Sequence, residues 1–326
     1  MTPLVSVLCV TYNHEKFIAE LIESVLSQTY RDLELVVADD GSTDGAPAII
    51  RRYAAQDARV KPVLGAQNEG LPANFNRAIG RCRGEFIAII AGDDVMMPDK
   101  IEAQVSRFSD RQDCGVLSHD SLVMDERGNT LYRWSDRHKP LVGGVETLFR
   151  TNWLLQKDHR PAPPSLMFRR AFMLAAPYDV RLPNSNEWLH PIACSMARPD
   201  LKWGYLPKVL SKYRRYGRQT SQDPAIGRSN FEERMLVLSV ASSRYPQIGS
   251  LIRACRAYEQ FKFIVFGWHP PALKGHYEKQ FLKEAGFFRW LYMRCVHFLL
   301  NHPVWMDSTR PLRKLIIRWM SLDRAK

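Results

Sequence analysis

Leu33-Glu34-Leu35-Val36-Val37-Ala38 is a compact apolar run that stops abruptly at Asp39-Asp40-Gly41-Ser42-Thr43-Asp44, after which Ala48, Ile49 and Tyr53 mark a short helix. The same unit recurs on both sides. Upstream, residues 5–10 (VSVLCV) lead into Thr11-Tyr12-Asn13, and Phe17, Ile18, Leu21, Ile22, Val25 and Leu26 follow at helical spacing. Downstream, residues 60–64 are followed by Asn68-Glu69-Gly70 and a helix over 74–82. Residues 86–91 (FIAIIA) then meet Gly92-Asp93-Asp94 ahead of a helix over about 98–108, and residues 114–118 form a fifth strand. Strands alternating with helices predict an α/β fold. Near-continuous apolar strands predict a mostly parallel sheet covered by helices on both faces.

The whole chain has 326 residues, of which 45% are apolar, enough for a sizeable core and incompatible with a disordered chain. Its length suits one large or two ordinary domains. No apolar run reaches the roughly 18 residues of a spanning helix. The opening residues lack a basic n-region and a cleavage site, so a cytoplasmic protein is expected. Six cysteines (Cys9, Cys82, Cys114, Cys194, Cys255, Cys295) form no C-x-x-C pair, which argues against structural zinc or disulfides and fits a reducing compartment.

Charge is unevenly distributed. Residues 1–130 carry 13 basic and 20 acidic side chains, net −7, whereas residues 131–326 carry 33 and 14, net +19. The basic half suits phosphorylated ligands, nucleic acid or an anionic membrane. Asp125-Glu126-Arg127-Gly128-Asn129 reads as a hairpin turn, Pro161-Ala162-Pro163-Pro164 as a loop, and helical patterning returns over about 230–266. In the tail (285–326), Leu312, Leu315, Ile316 and Trp319 share one helical face, with Arg313, Lys314 and Arg318 largely elsewhere. Such a helix either lies on an anionic bilayer, peripheral to the cytoplasmic face of the inner membrane, or packs on the globular body.

Ligands of open parallel sheets bind beyond the carboxyl ends of the strands. No G-x-G-x-x-G follows the first strand and no G-x-x-x-x-G-K-[ST] occurs, which disfavours dinucleotide and P-loop chemistry. Carboxylates collect instead at two strand ends. Such a cluster needs a cation or a donor-rich ligand to offset its repulsion. A hard divalent ion shared with a diphosphate supplies that.

Taken in series, Thr11-Tyr12-Asn13, Asp39-Asp40-Gly41-Ser42-Thr43-Asp44, Asn68-Glu69-Gly70…Asn76-Arg77-Ala78 and Gly92-Asp93-Asp94…Pro98-Asp99 resemble family 2 glycosyltransferases of the GT-A fold, of the envelope-polysaccharide or lipopolysaccharide type. The resemblance covers about residues 3–125 well and continues loosely to about 221. It implies a GT-A domain over 1–225, with a nucleotide-sugar half (1–125) and an acceptor half (126–225); beyond its reach, residues 226–326 read as a helical, basic region that either associates with a membrane or packs on the body. It implies that Thr11, Tyr12 and Asn13 line the donor pocket. Asp40 accepts a hydrogen bond from a uracil-like N–H, so a UDP-sugar is favoured. Asp39 and Ser42 support that loop, and Asn76 and Arg77 lie near ribose or diphosphate. For Asp44, helix capping is the preferred role.

Relatives commonly carry an Asp two positions before the counterpart of Asp93, where this chain has Ala91. By resemblance Asp93 then binds Mg2+ or Mn2+, Asp94 assists at the sugar, and diphosphate oxygens and water complete the coordination. Asn186-Glu187-Trp188 resembles the acidic pair that precedes an aromatic, which makes Glu187 the candidate general base for an inverting transfer. Tyr213-Arg214-Arg215-Tyr216 resembles a Y-R-x-H segment that closes over diphosphate. Tyr216 replaces the His, while Arg214, Arg215 and Arg218 either clamp phosphate or form a solvated basic loop. The partners implied are a nucleotide-sugar donor and a glycan or lipid-linked acceptor. Nucleic acid is not among them, since no such motif is present and acidic strand ends repel a phosphate backbone. The Ala91, Tyr216 and Asn186 departures also suit a nucleotide-sugar binding protein without turnover.

Overall fold

The computed structural model describes residues 2–144, 147, 159, 161–182, 186–216, 226–244, 246, 249, 252, 253, 255 and 256. The tail over 285–326 and Arg218 lie outside the described residues. The chain begins β1 (Val5–Thr11), α1 (Ile18–Leu26), β2 (Leu33–Asp39), α2 (Ala46–Gln56), β3 (Val60–Leu64), α3 (Leu71–Ile79), β4 (Phe86–Ala91). It continues β5 (Val95–Met96), α4 (Lys100–Asp110), β6 (Cys114–Met124) and β7 (Thr130–Arg133). Then come β8 (Met167–Arg169), α5 (Arg170–Met173), α6 (Asn186–Ala197), β9 (Lys202–Arg214) and α7 (Ile226–Arg244).

Among the described residues one sheet runs in the order β3-β2-β1-β4-β8-β6-β9-β5, with β7 paired to β6. β1 is parallel to both β2 and β4, and β2 to β3. Every residue of β2, and all but one of β1, is buried, as expected for strands covered on both faces. Helix α1 presents Ile18, Leu21, Ile22 and Val25 to this core, where they join Val7, Leu35, Val37, Ala88 and Ile90. The register sets Thr11 opposite Asp39 and Val10 opposite Ala91, so the loops after three strands open on one edge.

Beyond β4 the sheet is mixed. β8 is antiparallel to β4 and β6, and β6 is parallel to the long β9. β6 runs to Met124, six residues beyond the apolar stretch that announces it. Most of its buried polar groups find partners: Ser118 Oγ donates to Gly204 O (3.3 Å), and Ser121 Oγ pairs with Ser211 Oγ (2.7 Å), while His119 is bonded through Nδ1 only. The Asp120 carboxylate accepts from Ser135 N and Oγ (3.1 and 2.6 Å) and pairs with Arg133. The turn over 125–129 forms as expected, with Gly128 at φ 88°. Residues 163–165 are a short 3-10 helix rather than plain loop, because proline suits the first positions of a helical turn. Contacts divide the chain into two compact units, Met1–Thr147 with Asp158–Gln222, and Leu148–Lys157 with Asp223–Lys326. No helix among the described residues is long and apolar enough to cross a membrane.

Candidate active site

The loop after β1 is stitched to the loop after β2. Asn13 adopts φ 56°, a left-handed conformation that asparagine tolerates. Its backbone N–H donates to Ser42 Oγ (2.8 Å), and its Oδ1 accepts from Thr43 N (2.9 Å). Ser42 N and Oγ in turn donate to the Asp39 carboxylate (2.9 and 2.5 Å). Gly41, at φ 69°, has no room for a side chain, since a Cβ there would fall 2.3 Å from the backbone of Gln67. Asp44 caps the turn into α2, accepting from Ala46 N (3.0 Å) and Glu15 N (2.8 Å).

Asp40 stands at the same strand end. Its N–H donates to Thr11 O (3.0 Å), and its buried carboxylate accepts from Glu69 N (3.1 Å) and Gly70 N (2.9 Å). This carboxylate fixes the third loop and retains lone pairs beyond those two hydrogen bonds. Arg77 lies alongside, 3.9 Å from Asp40 Oδ1, and donates to Asn74 Oδ1 (2.7 Å), Glu69 Oε2 (3.0 Å) and Asp39 O (3.2 Å). Tyr12, the residue after β1, is 41% exposed.

On the other flank of β1, Gly92 N donates to Val10 O (3.0 Å), which sets Asp93 and Asp94 beside the same strand end. Both are buried, at 4% and 1% exposure. Asp94 Oδ1 accepts from Arg214 N (2.8 Å), whereas its Oδ2 is buried without a hydrogen-bond partner. Burial first, then the charge of Asp93, holds the Asp94 carboxyl well above the usual carboxylate range. Beneath them the Cys9 thiol is pushed up by burial and by the charges of Asp93, Asp94 and Asp39. Tyr216 hydrogen-bonds Asp93, and its phenol is raised by burial and by that carboxylate. The orphaned oxygen and the mutual repulsion of the pair fit a divalent cation. Among the described residues there is no cluster of three or more His, Cys, Asp or Glu able to hold one, so diphosphate and water would have to supply most ligands.

The edge that gathers Asp39, Asp40, Asp93 and Asp94 falls within residues 6–173, which match the family model for glycosyl transferase family 2. The chain belongs to that family. This glycosyltransferase is 30% identical over 214 residues to an uncharacterized glycosyltransferase of Methanocaldococcus jannaschii, a match that covers 65% of this chain and 71% of that protein. Other relatives from Bacillus subtilis and Escherichia coli, a chondroitin synthase among them, match over about 40% of this chain and less than half of their own length. The solved structure of Staphylococcus aureus TarS with UDP-GlcNAc is similar at TM-score 0.65 and 16% identity, over 97% of this chain and 91% of that one. The mannosyltransferase PcManGT of Pyrobaculum calidifontis, solved with GDP-Man and Mn2+, is similar at TM-score 0.56 and 18% identity, over 100% of this chain and 89% of that one. At such identities these likenesses establish the fold, which is GT-A.

The structure of this glycosyltransferase gives several resemblance-implied residues partners within the protein. Asn76 turns away from the strand ends: its Nδ2 donates to Tyr178 O (2.8 Å) and its Oδ1 accepts from Tyr178 N (2.9 Å), tying down a distant loop. Arg214 is 2% exposed, and its guanidinium donates to Asp93 O (2.8 Å), Glu126 O (2.9 Å) and Glu20 Oε2 (2.6 Å) over the ring of Phe17. It therefore serves as a brace for the Asp93 loop instead of a phosphate clamp. Arg215 follows the last residue of β9; its backbone N–H donates to Met124 O (2.8 Å) and its Nη1 to Tyr132 Oη (3.3 Å). Glu187 lies in the first turn of α6, its side chain outside the described residues. The preceding Asn186 is buried, with Nδ2 donating to Asp179 O (2.8 Å) and Leu182 O (2.6 Å). His190, one turn on, is a core residue that packs by Tyr178 and Phe75, its ring pushed down to about 4 by burial.

Sequence reasoning passed over His14. Its Nδ1 lies 3.1 Å from Thr11 Oγ1 and its Nε2 3.9 Å from Asp93 Oδ2. The available signal was its place one residue after Asn13, directly beyond the first strand.

Proposed function

We propose that this chain transfers a glycosyl group from a nucleoside diphosphate sugar, with UDP favoured as the carrier, to a hydroxyl of a glycan or lipid-linked acceptor, with inversion at the anomeric carbon. The observation that carries this reading is the convergence of Asp40 and the Asp93-Asp94 pair on the two flanks of one strand end. Asp40 faces the nucleobase N–H with lone pairs left over from Glu69 N and Gly70 N. Tyr12, exposed beside it, is the aromatic face available to the base. Asp93 holds Mg2+ or Mn2+, and Asp94 supports it through Oδ2. Such an ion, when bound, neutralises the charge that grows on the departing diphosphate.

Glu187 is the general base. It removes the proton of the acceptor hydroxyl as that oxygen attacks the anomeric carbon, and the bond to the diphosphate oxygen breaks on the opposite face. One carboxylate suffices, because no covalent sugar intermediate forms. The acceptor half lies over 126–225, and the basic region over 226–326 suits acceptors at an anionic membrane.

A thermal-shift series with UDP-, GDP-, dTDP- and CMP-sugars, each with and without Mn2+, tests the donor assignment. A ligand at about 100 times its dissociation constant stabilises the fold by about 2.7 kcal/mol, and the UDP-sugar with Mn2+ is expected to give the largest shift. Asp93→Asn is expected to abolish the Mn2+-dependent part. Glu187→Gln is expected to keep the shift and lose transfer by about 100-fold or more. Donor binding without transfer by the unmodified protein would overturn the catalytic reading in favour of a nucleotide-sugar binding protein.

A further inference from the structure

We propose that His14 is a protein ligand of the donor-bound divalent cation, supplying through Nε2 the coordination that Ala91 cannot. The inference rests on the cation-assisted reading above and adds a residue to it. β1 ends at Thr11, and the left-handed turn at Asn13 (φ 56°) returns the chain so that the next side chain lies back over the strand end. There the two ring nitrogens of His14 have different neighbours. Nδ1 lies 3.1 Å from the hydroxyl of buried Thr11, and Nε2 points at Asp93, 3.9 Å from Oδ2. A Thr11 Oγ1 that accepts from Nδ1–H selects the tautomer whose lone pair sits on Nε2, which is how metal-bound histidines are usually oriented.

The spacing also fits. An ion about 2.1 Å from each ligand spans pairs between about 3.0 Å apart (adjacent) and about 4.2 Å apart (opposite). The 3.9 Å between His14 Nε2 and Asp93 Oδ2 lies between these two spacings and nearer the second, so a small side-chain rotation brings the pair to a coordinating distance. Gly92 makes room for the arrangement, since a Cβ there would lie 2.4 Å from Thr11 Oγ1 and 2.8 Å from His14 Nδ1. An independent pointer to a cation is Asp94 Oδ2, buried at the same place without a partner. Tyr216 approaches Asp93 as a hydrogen-bonding neighbour, so the carboxylate is oriented by a phenol while the imidazole faces its Oδ2. A ligand set of one imidazole and one carboxylate favours Mn2+ over Mg2+, because imidazole suits the softer ion.

The test is pulsed electron paramagnetic resonance of Mn2+ bound to the full-length protein in the presence of UDP. The unmodified protein is expected to show the nitrogen hyperfine coupling of a coordinated imidazole. In His14→Gln that coupling is expected to vanish and the half-saturating Mn2+ concentration to rise by about tenfold, with the melting temperature in the absence of metal unchanged. His14→Asp is expected to restore tight binding without nitrogen coupling and to shift preference toward Mg2+. Mn2+ bound without nitrogen coupling in the unmodified protein, or coupling that survives in His14→Gln, would overturn the assignment of His14 and leave the proposed transfer intact. Failure of Mn2+ to bind even with UDP would overturn both.

Discussion

Asn76 and Arg77 are neighbours in the chain with opposite fates. Arg77 reaches back to the Asp40 loop, whereas Asn76 makes a reciprocal pair of hydrogen bonds with the backbone of Tyr178. A helix turns about 100° per residue, so adjacent polar side chains cannot both serve one site. Asn76→Ala leaves two backbone groups of Tyr178 without their partners. It is expected to cost about 1–3 kcal/mol in urea unfolding while leaving the affinity for UDP unchanged. His190 offers a second measurement at this scale. The unfolded chain takes up the ring proton below about pH 6.5, but burial keeps the folded ring neutral until about 4. Its contribution to stability is therefore complete above the unfolded value and is lost as pH falls toward the folded one. The protein is expected to be about 2 kcal/mol less stable at about pH 5 than at about pH 7 on this account. His190→Phe should flatten that part of the profile in urea titrations.

Between elements, the end of β9 is the brace of the site. Arg214 connects three segments at once: the Asp93-Asp94 loop, the 125–126 turn, and the start of α1 through Glu20 and the ring of Phe17. Only a planar fork with several donors can do this from one position. Arg214→Lys is expected to lower stability by about 2–3 kcal/mol and to weaken Mn2+-dependent UDP binding, measured by urea unfolding and calorimetry. The apolar strands, α1 and the order of the parallel half were legible because burial on both faces leaves an uninterrupted apolar run. β9 was not legible. Its 13 residues mix Lys202, Lys208, Lys212 and Arg214 with apolar ones, and its place between β6 and β5 depends on pairing across a long separation in the chain. The polar second half of β6 was hidden for the same reason, since buried serines need partners that only the folded sheet brings.

At the scale of the molecule the two halves differ by charge, net −7 over 1–130 against +19 over 131–326. The acidic half carries the proposed donor edge and the basic half the proposed acceptor side. A basic patch near an anionic leaflet gains about 1 kcal/mol per cationic side chain, and salt screens it. Replacing Arg313, Lys314 and Arg318 together by Gln is expected to lower partition onto phosphatidylserine vesicles by on the order of 100-fold, with little change on neutral vesicles. Sedimentation with vesicles at low and high salt measures both effects. Equal partition of the two proteins would remove the tail from membrane docking.

The amino-acid sequence by itself determined the strand–loop–helix rhythm of the first 120 residues and the gathering of carboxylates beyond two strand ends. Both follow from local rules, namely hydrophobic period and the placement of loops at strand termini. Tertiary structure decided which polar side chains remain for a ligand. Asp40, Asp93 and Asp94 stay at the edge, Arg214 and Asn76 are consumed by backbone groups from far along the chain, Asn186 is held by the nearby carbonyls of Asp179 and Leu182, and His14 is brought to Asp93 by one left-handed turn. A hydrogen bond spends a donor on the partner that folding delivers to it, and the delivery, in a sheet whose neighbours lie tens of residues apart, is not written in any local stretch.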